Sequence, residues 1–335
     1  MLKVLQCPEN IAGQAWEYAK SLREQGVEST ALTFVKRNFD YKYDVCLHLD
    51  RYKHGRYIRL LNNFLICARN YNIFHFHYGE TLLPQNADLP LLKMLRKKMV
   101  MNFWGSDVRQ EMLARPKNKY YDIFGSENDN KLIIAKIKNI ANYIDTAVVP
   151  AHEVYEYVFG YFKRIEIIPI IIDIDKIRLF PSSFSNDNPL IVHSPSNRKL
   201  KGTEYILNTI SKLQEKYKFR FQLIENLPNI EVKKIFAKSD IVIDQLLIGT
   251  YGTVSLEAMA AGKPVLCYIR DDLAKYMPDI PIINTNIDNI YENLEMLITN
   301  PSMRTEIGKK GYEYVAQNHN PKKIAKQLIS LYESL

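Results

Sequence analysis

The sequence predicts an α/β protein built from two parallel sheets, each flanked by helices and each in its own domain. Three observations carry this expectation. The chain has 335 residues, and at roughly 150 residues per domain that suggests two domains. Apolar runs with strand character alternate with amphipathic helical runs, the signature of strand–helix–strand units. The alternation pauses at residues 181–189, a polar turn-rich link, and then restarts. The expected division is residues 1–165, residues 166–320, and a last helix over 321–335 that crosses back to pack on the first domain.

In the first half, Leu2-Lys-Val-Leu-Gln6 reads as a strand and residues 7–13 as a loop. Gln14 to Gln25 places Trp16, Ala19, Leu22 and Arg23 at helical spacing and stops at Gly26, a residue suited to a helix C-terminus. Further strands fit Ser29 to Phe34, Val45 to Leu49, Ile73 to His77 and Lys98 to Phe103. Leu60 to Asn70 and Leu89 to Leu95 read as helices. Lys131 to Tyr143 is a helix and Thr146-Ala-Val-Val149 a strand closed by Pro150.

After the link, Leu190 to Ser194 is a strand, Thr203 to Tyr217 a helix and Phe219 to Ile224 a strand. Glu231 to Ala237 is a short helix before the apolar run Asp240 to Ile248. Thr253 to Ala261 is a helix and Pro264 to Ile269 the next apolar run. Pro321 to Leu335 carries Ile324, Leu328 and Leu331 on one face. Two such sheets place the expected binding site in a cleft at the carboxyl ends of the strands.

Composition is ordinary for a globular chain, with 47% apolar and 24% charged residues, which argues against disorder. No apolar run approaches the ~18 residues that span a bilayer, and a strand follows directly on Met1-Leu2-Lys3, so no targeting segment is expected. Cys7, Cys46, Cys67 and Cys267 show no C-x-x-C spacing, which suits a reduced cytoplasmic protein. Residues 1–165 hold 24 Lys/Arg against 17 Asp/Glu, so +7 of the net +8 lies there. Arg51, Lys53, Arg56, Arg59 and Arg69 occur with no acidic residue before Gly79, and Arg96-Lys97-Lys98 forms a second cluster. Such a half suggests an anionic partner, a membrane surface, lipid phosphate or nucleic acid, the last being the weakest for want of a binding motif; peripheral contact with an anionic membrane and no nucleic acid is the expectation.

The most informative stretch is Gly249-Thr-Tyr-Gly-Thr-Val-Ser-Leu-Glu-Ala-Met-Ala-Ala-Gly-Lys-Pro-Val265. A glycine loop between strand and helix aims free N–H groups and the positive helix end at one spot, which suits a phosphate. Tyr251, Gly252, Thr253 and Val254 would line that spot, and Glu257 could reach the hydroxyls of an attached ribose. An ordinary strand–loop–helix with Gly262 as its C-terminal cap is the competing reading. The second candidate is His193-Ser-Pro-Ser-Asn-Arg-Lys-Leu-Lys-Gly-Thr203. Arg198 and Lys201 lie at a strand's carboxyl end and could clamp a diphosphate; a solvated basic loop with Thr203 as helix cap is the alternative.

Together these segments resemble the nucleotide-sugar site of GT-B glycosyltransferases, those of glycosyltransferase family 4 in particular. The match lies in Lys201-Gly202-Thr203, Gly252, Glu257-Ala-Met-Ala and Gly262-Lys-Pro-Val265. The resemblance implies two Rossmann-like domains facing a cleft, Lys201 and Arg198 on the donor pyrophosphate and Glu257 on the ribose. The first glutamate of the family's pair falls at Gly249, so the donor sugar does not follow. Asn102-Phe-Trp-Gly-Ser-Asp-Val108 looks like the family's segment at a strand end, with Trp104 where a histidine is frequent. Asp107 is then either an acceptor-hydroxyl ligand or a cap for the following helix. Gly13-Gln14 stands where the family has a loop closing over the reacting centre. His75 and His77 are read as facing opposite sides of their strand, so at most one lines the cleft, and His77, nearer the carboxyl end, is favoured.

The chemistry expected is departure of a nucleoside diphosphate, its charge stabilised by Lys201, Arg198 and the N–H groups of Thr253 and Val254. No His/Asp/Glu/Cys set has metal-ligand spacing and no cofactor is expected beyond the nucleotide-sugar substrate. The resemblance implies retention of anomeric configuration and transfer to a surface glycan or lipid-linked acceptor. The rivals are a nucleotide-sugar epimerase of the same fold and a catalytically silent nucleotide-sugar-binding subunit.

Overall fold

The computed structural model describes residues 2–36, 39–52, 54–124, 130–178 and 188–335. Lys53 and most of the 181–189 link lie outside the described residues. The chain divides into two compact units: Met1–Leu113 with Asn128–Ile171 and Pro321–Leu335, and Ala114–Glu127 with Ile172–Asn320.

The first unit is built on seven parallel strands: β1 (Lys3–Cys7), β2 (Glu28–Thr33), β3 (Val45–Cys46), β4 (Ile73–His77), β5 (Lys98–Asn102), β6 (Thr146–Val149) and β7 (Arg164–Ile167). Their order is β3-β2-β1-β4-β5-β6-β7. Val4 pairs with Ile73 and Ile73 with Lys98. The central strands β1 and β4 are buried on both faces, as a sheet covered by helices on both sides requires. Helix Gln14–Arg23 turns Tyr18 and Leu22 onto this sheet, where they pack with Val4, Val100 and Val148. Ile324, Leu328, Leu331 and Tyr332 of helix Pro321–Glu333 complete the same core.

The second unit has five parallel strands: β8 (Leu190–His193), β9 (Arg220–Leu223), β10 (Ile241–Ile243), β11 (Val265–Cys267) and β12 (Ile282–Asn284), in the order β12-β11-β10-β8-β9. Ile191, Ile241, Ile243 and Leu266 from the strands meet Ile206, Ile210 and Leu294 from the helices in one core. The chain goes from β8 outward to β9 and returns to β10 on the other side. The carboxyl ends of β8 and β10 therefore form a topological switch point, where open α/β sheets bind ligands. The segment Ala114–Glu127 joins this unit through Asn118, whose Nδ2 donates to the carbonyls of Leu247 and Ile248 at 2.8 and 3.0 Å.

Some elements differ from the sequence reading. The apolar run Asp240 to Ile248 keeps strand geometry only over Ile241–Ile243, although the Asp244 N–H still donates to the Leu266 carbonyl and the Gln245 carbonyl still accepts from Tyr268. Strands β7 and β12 add edges that four- and three-residue runs do not signal. Cys7, Cys67 and Cys267 are buried thiols and Cys46 is half-buried, all four unpaired with one another.

Candidate functional site

In the second unit the segment after β8 is shaped by its caps. The Asn197 side chain accepts the N–H of Leu200 at 3.1 Å and opens the single turn Arg198–Lys201. Gly202 breaks that turn in the left-handed region, at φ +75°. A Cβ there would lie 3.3 Å from Leu247, so glycine serves both backbone and packing. Helix Thr203–Gln214 follows directly. His193 ties it to the sheet. Its Nδ1 faces the Ile243 carbonyl at 2.8 Å and must donate there, which leaves Nε2 to accept from the Thr203 hydroxyl at 2.9 Å. Burial lowers the imidazole to about 4, so His193 is a neutral strut.

This scaffold aims Lys201 across the switch point. Its Nζ lies 2.5 Å from Asp244 Oδ1 and 2.8 Å from Gln245 Oε1, with the side chain only 10% exposed. The other Asp244 oxygen accepts the Ser255 hydroxyl at 2.6 Å. Burial alone would raise the Asp244 carboxyl; Lys201 and Ser255 outweigh it and hold the group below its ordinary range. Lys201, Asp244 and Ser255 thus form a continuous polar line from the end of β8 to the first turn of helix Thr253–Ala260. Gln245 continues it by donating to the Thr250 carbonyl.

The helix Thr253–Ala260 begins at Gly252 with no side-chain cap. Its backbone there is extended, at φ −128°, and nothing lies within 4 Å of where a Cβ would stand. Neither backbone conformation nor protein packing requires glycine at this position; open space lies over it. The first-turn N–H groups of Thr253 and Val254 are among those a helix leaves unsatisfied. Glu257, one turn on, is 5% exposed. Asn229 donates to both its oxygens at 3.1 and 3.2 Å, and the Lys233 ammonium lies 3.2 Å away. Tyr251 meets His319 edge-on at 6.2 Å, and burial raises its hydroxyl above the usual tyrosine range.

Arg198 is turned elsewhere. Its guanidinium donates to Glu204 at 2.7 Å and to Glu225 at 3.3 Å, in solvent-exposed pairs. The structure therefore joins Lys201 to the helix start and gives Arg198 separate partners. Gly249, the position of the absent glutamate, has φ +88°, and a Cβ there would lie 2.3 Å from Arg270 Cγ. Arg270 is 2% exposed and reaches Asp272 through two bonds of 3.0 and 2.7 Å. The groups that sequence reasoning missed are Asp244, Ser255, Asn229 and Arg270, whose place beside Lys201, Glu257 and Gly249 only the fold reveals.

In the first unit His75 and His77 lie on one face of their strand, not on opposite sides as expected. Residues two apart on a strand share a face, and the His75 and His77 rings stack at 4.9 Å with 3° between their planes. Both are fully buried. Gln6 Oε1 accepts from His77 Nε2 at 2.9 Å, Gln6 Nε2 donates to the Tyr332 hydroxyl at 3.0 Å, and Tyr332 reaches His75 Nδ1 at 2.6 Å. Burial lowers His75 to about 3 and His77 well below its usual value. Trp104 closes the stack 5.9 Å from His77.

Asp107 is not a helix cap. One oxygen accepts the N–H groups of Trp104 and Gly105 at 3.0 and 2.8 Å, behind it in the chain, while Asn130 caps Glu111. Its other oxygen has no protein partner, and burial raises the carboxyl to about 6 against those N–H groups. Gly13, at φ +76°, starts helix Gln14–Arg23 with Tyr41 against it. The Gln14 amide is spent on one residue, donating to the Ile171 carbonyl at 3.0 Å and accepting its N–H at 2.8 Å. Among the described residues no three of His, Cys, Asp or Glu converge to hold a metal ion.

Residues 198–330 match the family model described as glycosyl transferase-like. No curated protein matches the chain. Sucrose-phosphate synthase from Thermosynechococcus elongatus superposes with TM-score 0.70 at 14% identity, over 99% of this chain and 95% of that one. Anabaena HepE, solved in complex with UDP-glucose, gives 0.68 at 11% identity over the whole of both chains. WaaG, a glycosyltransferase of lipopolysaccharide biosynthesis, gives 0.59 at 13% over 97% of each. At these identities the likeness is one of fold, and the fold is GT-B.

Proposed function

We propose that this GT-B glycosyltransferase moves a sugar from a nucleoside diphosphate donor to a glycan or lipid-linked acceptor, without a metal and with retention of configuration. The observation that carries the reading is the uncapped start of helix Thr253–Ala260, with open space over Gly252 and the Lys201–Asp244–Ser255 line ending beside it. The donor diphosphate would sit on the N–H groups of Thr253 and Val254. Glu257, oriented by Asn229 and Lys233, would accept hydrogen bonds from the ribose hydroxyls.

The C1–oxygen bond to the diphosphate breaks, with its electrons going to the phosphate oxygen. The acceptor oxygen bonds to C1 and its proton passes to the oxygen that departs, so no protein nucleophile is needed. Charge grows on the diphosphate during this step. The helix start and the Lys201 ammonium, shared between Asp244 and the departing group, bind that charge more tightly than they bind the intact donor. Arg198 stands outside this arrangement unless it exchanges Glu204 and Glu225 for phosphate. On the acceptor side, the group proposed for an acceptor hydroxyl is Asp107, whose unpartnered oxygen is itself buried and must be uncovered for that contact. Burial argues for His77 as a support of that unit rather than a contact.

A thermal-shift screen against nucleoside diphosphates and their sugars tests the donor site, because a ligand raises apparent stability by mass action. A shift with a nucleotide-sugar, lost in Glu257→Ala, supports it; no shift with any of them sinks it. A second reading, a silent binding subunit, is favoured by Arg270 filling the position of the sugar-side glutamate at Gly249. That reading predicts the same shift but no release of nucleoside diphosphate with any acceptor. Turnover of the donor with no acceptor present would instead favour an epimerase.

A further inference from the structure

Helix Arg56–Asn70 of the first unit is apolar on two sides. Leu60, Phe64, Cys67 and Ala68 face inward and are buried. Ile58, Leu61, Leu65 and Ile66 recur at the same helical spacing on the outer side and are 68, 48, 57 and 57% exposed. Exposed Asn62, Arg59 and Arg69 share that side, but four large exposed apolar residues beside them are more than closing a core requires. Met94 and Leu95, at the end of helix Leu89–Met94, are also exposed. The steps from β3 to β4 and from β4 to β5 run in one direction across the sheet, so right-handed crossovers lay both helices on one face.

The charges along this helix have one sign. Arg56, Arg59 and Arg69 lie on the helix, and no acidic residue occurs between Arg51 and Gly79. Arg59 stacks its guanidinium 4.5 Å from the Tyr52 ring and donates to the Tyr52 hydroxyl. None of the three helix arginines meets a carboxylate among the described residues. A second copy of the chain would set these arginines against their own kind, which disfavours a self-complementary contact. Among the described residues no helix is long and apolar enough to cross a membrane.

We infer that this face lies on an anionic phospholipid bilayer. The helix runs parallel to the surface, Ile58, Leu61, Leu65 and Ile66 enter the acyl boundary, and Arg56, Arg59 and Arg69 reach the lipid phosphates. The inference is independent of the donor-site reading, since it concerns a different unit and a different ligand.

The test is co-sedimentation of the full chain with vesicles of phosphatidylcholine alone and of phosphatidylcholine mixed with phosphatidylglycerol. Binding is expected only to the mixed vesicles, weakening with salt. Ile58→Gln with Leu65→Gln should lower partition tenfold or more, and Arg59→Gln or Arg69→Gln by about fivefold each. These positions are exposed, and an unchanged melting temperature and nucleotide-induced shift would show that the fold and donor site remain. A Leu65→Trp variant should be quenched by brominated acyl chains. Equal partition of wild type and double variant, absence of that quenching, or dimerisation of the free chain abolished by the same substitutions would overturn the inference.

Discussion

Gly249 and Arg270 occupy one another's space. The Arg270 side chain crosses the glycine so closely that an added Cβ would lie 2.3 Å from its Cγ, and the Arg270 N–H binds the Gly249 carbonyl at 2.9 Å. The residue that the family pattern sets aside for a carboxylate is here the floor under an arginine. In a double-mutant cycle, Gly249→Ala and Arg270→Ala should couple. The double variant should be more stable than the summed losses by ~1–3 kcal/mol, the overpacking part of the penalty. Urea midpoints measure this, and additive losses would refute the relationship.

The Lys201–Asp244 pair should be costly to break. Lys201→Ala leaves a buried carboxylate, a loss of roughly 3–5 kcal/mol. The sign of its pH dependence follows from the depressed Asp244 carboxyl. Such a group stabilises the fold above its ordinary range and loses that contribution as pH falls through its folded value. Wild type and Lys201→Ala should therefore differ most near neutrality and converge in acid. Denaturation curves at neutral and acid pH check this; a gap independent of pH would place the charge elsewhere.

Glu257 and Asn229 should act on donor affinity. Losing hydrogen bonds to a charged group of about 1.5–3 kcal/mol corresponds to about 10–100-fold in binding. Glu257→Ala is expected to raise KM for the donor over that range, and Asn229→Ala by less. Lys201→Ala should instead lower kcat, by on the order of 100-fold or more, as the loss of one group from a charge-stabilising site does. Nucleoside diphosphate release reads both. An unchanged KM in Glu257→Ala would remove it from the site.

Asp107→Asn should stabilise the protein at neutral pH. A carboxyl raised to about 6 keeps in the fold a proton that the unfolded chain has lost. Its contribution is complete below the unfolded value and declines as pH rises through the folded one. Asparagine can still accept from Trp104 and Gly105 without that charge. The melting temperature should rise at pH 7 and stay unchanged near pH 4, while transfer falls if the free oxygen serves the acceptor. Equal melting temperatures at every pH would mean that Asp107 is not held protonated.

Much of this was legible in the chain. Ile73–His77 and Thr146–Val149 are strands with the bounds their runs predict, because burial on both faces leaves β-branched and aromatic residues with no formal charge among them. The loop from Gly249 and the helix from Thr253 were legible from the glycines that separate two apolar runs. What sequence could not carry was pairing. Lys201 reads as a diphosphate clamp or as part of a solvated loop, and only the fold sets Asp244 beside it, 43 positions on. Gly249 reads as a lost glutamate until Arg270 is seen across it. The histidines erred on a local rule, and the ring they form with Gln6 and Tyr332 spans 326 positions, beyond any local pattern.

That last span has a consequence for how the chain is made. The core of the first unit uses residues from β1 and from helix Pro321–Glu333, with the whole of Ile172–Asn320 between them. On a ribosome moving at about 5–20 residues per second, that interval takes roughly ten to thirty seconds. Through it, Tyr18, Leu22 and the two histidines wait without their cover. The second unit, uninterrupted apart from one short segment, is free to fold first although its residues emerge later.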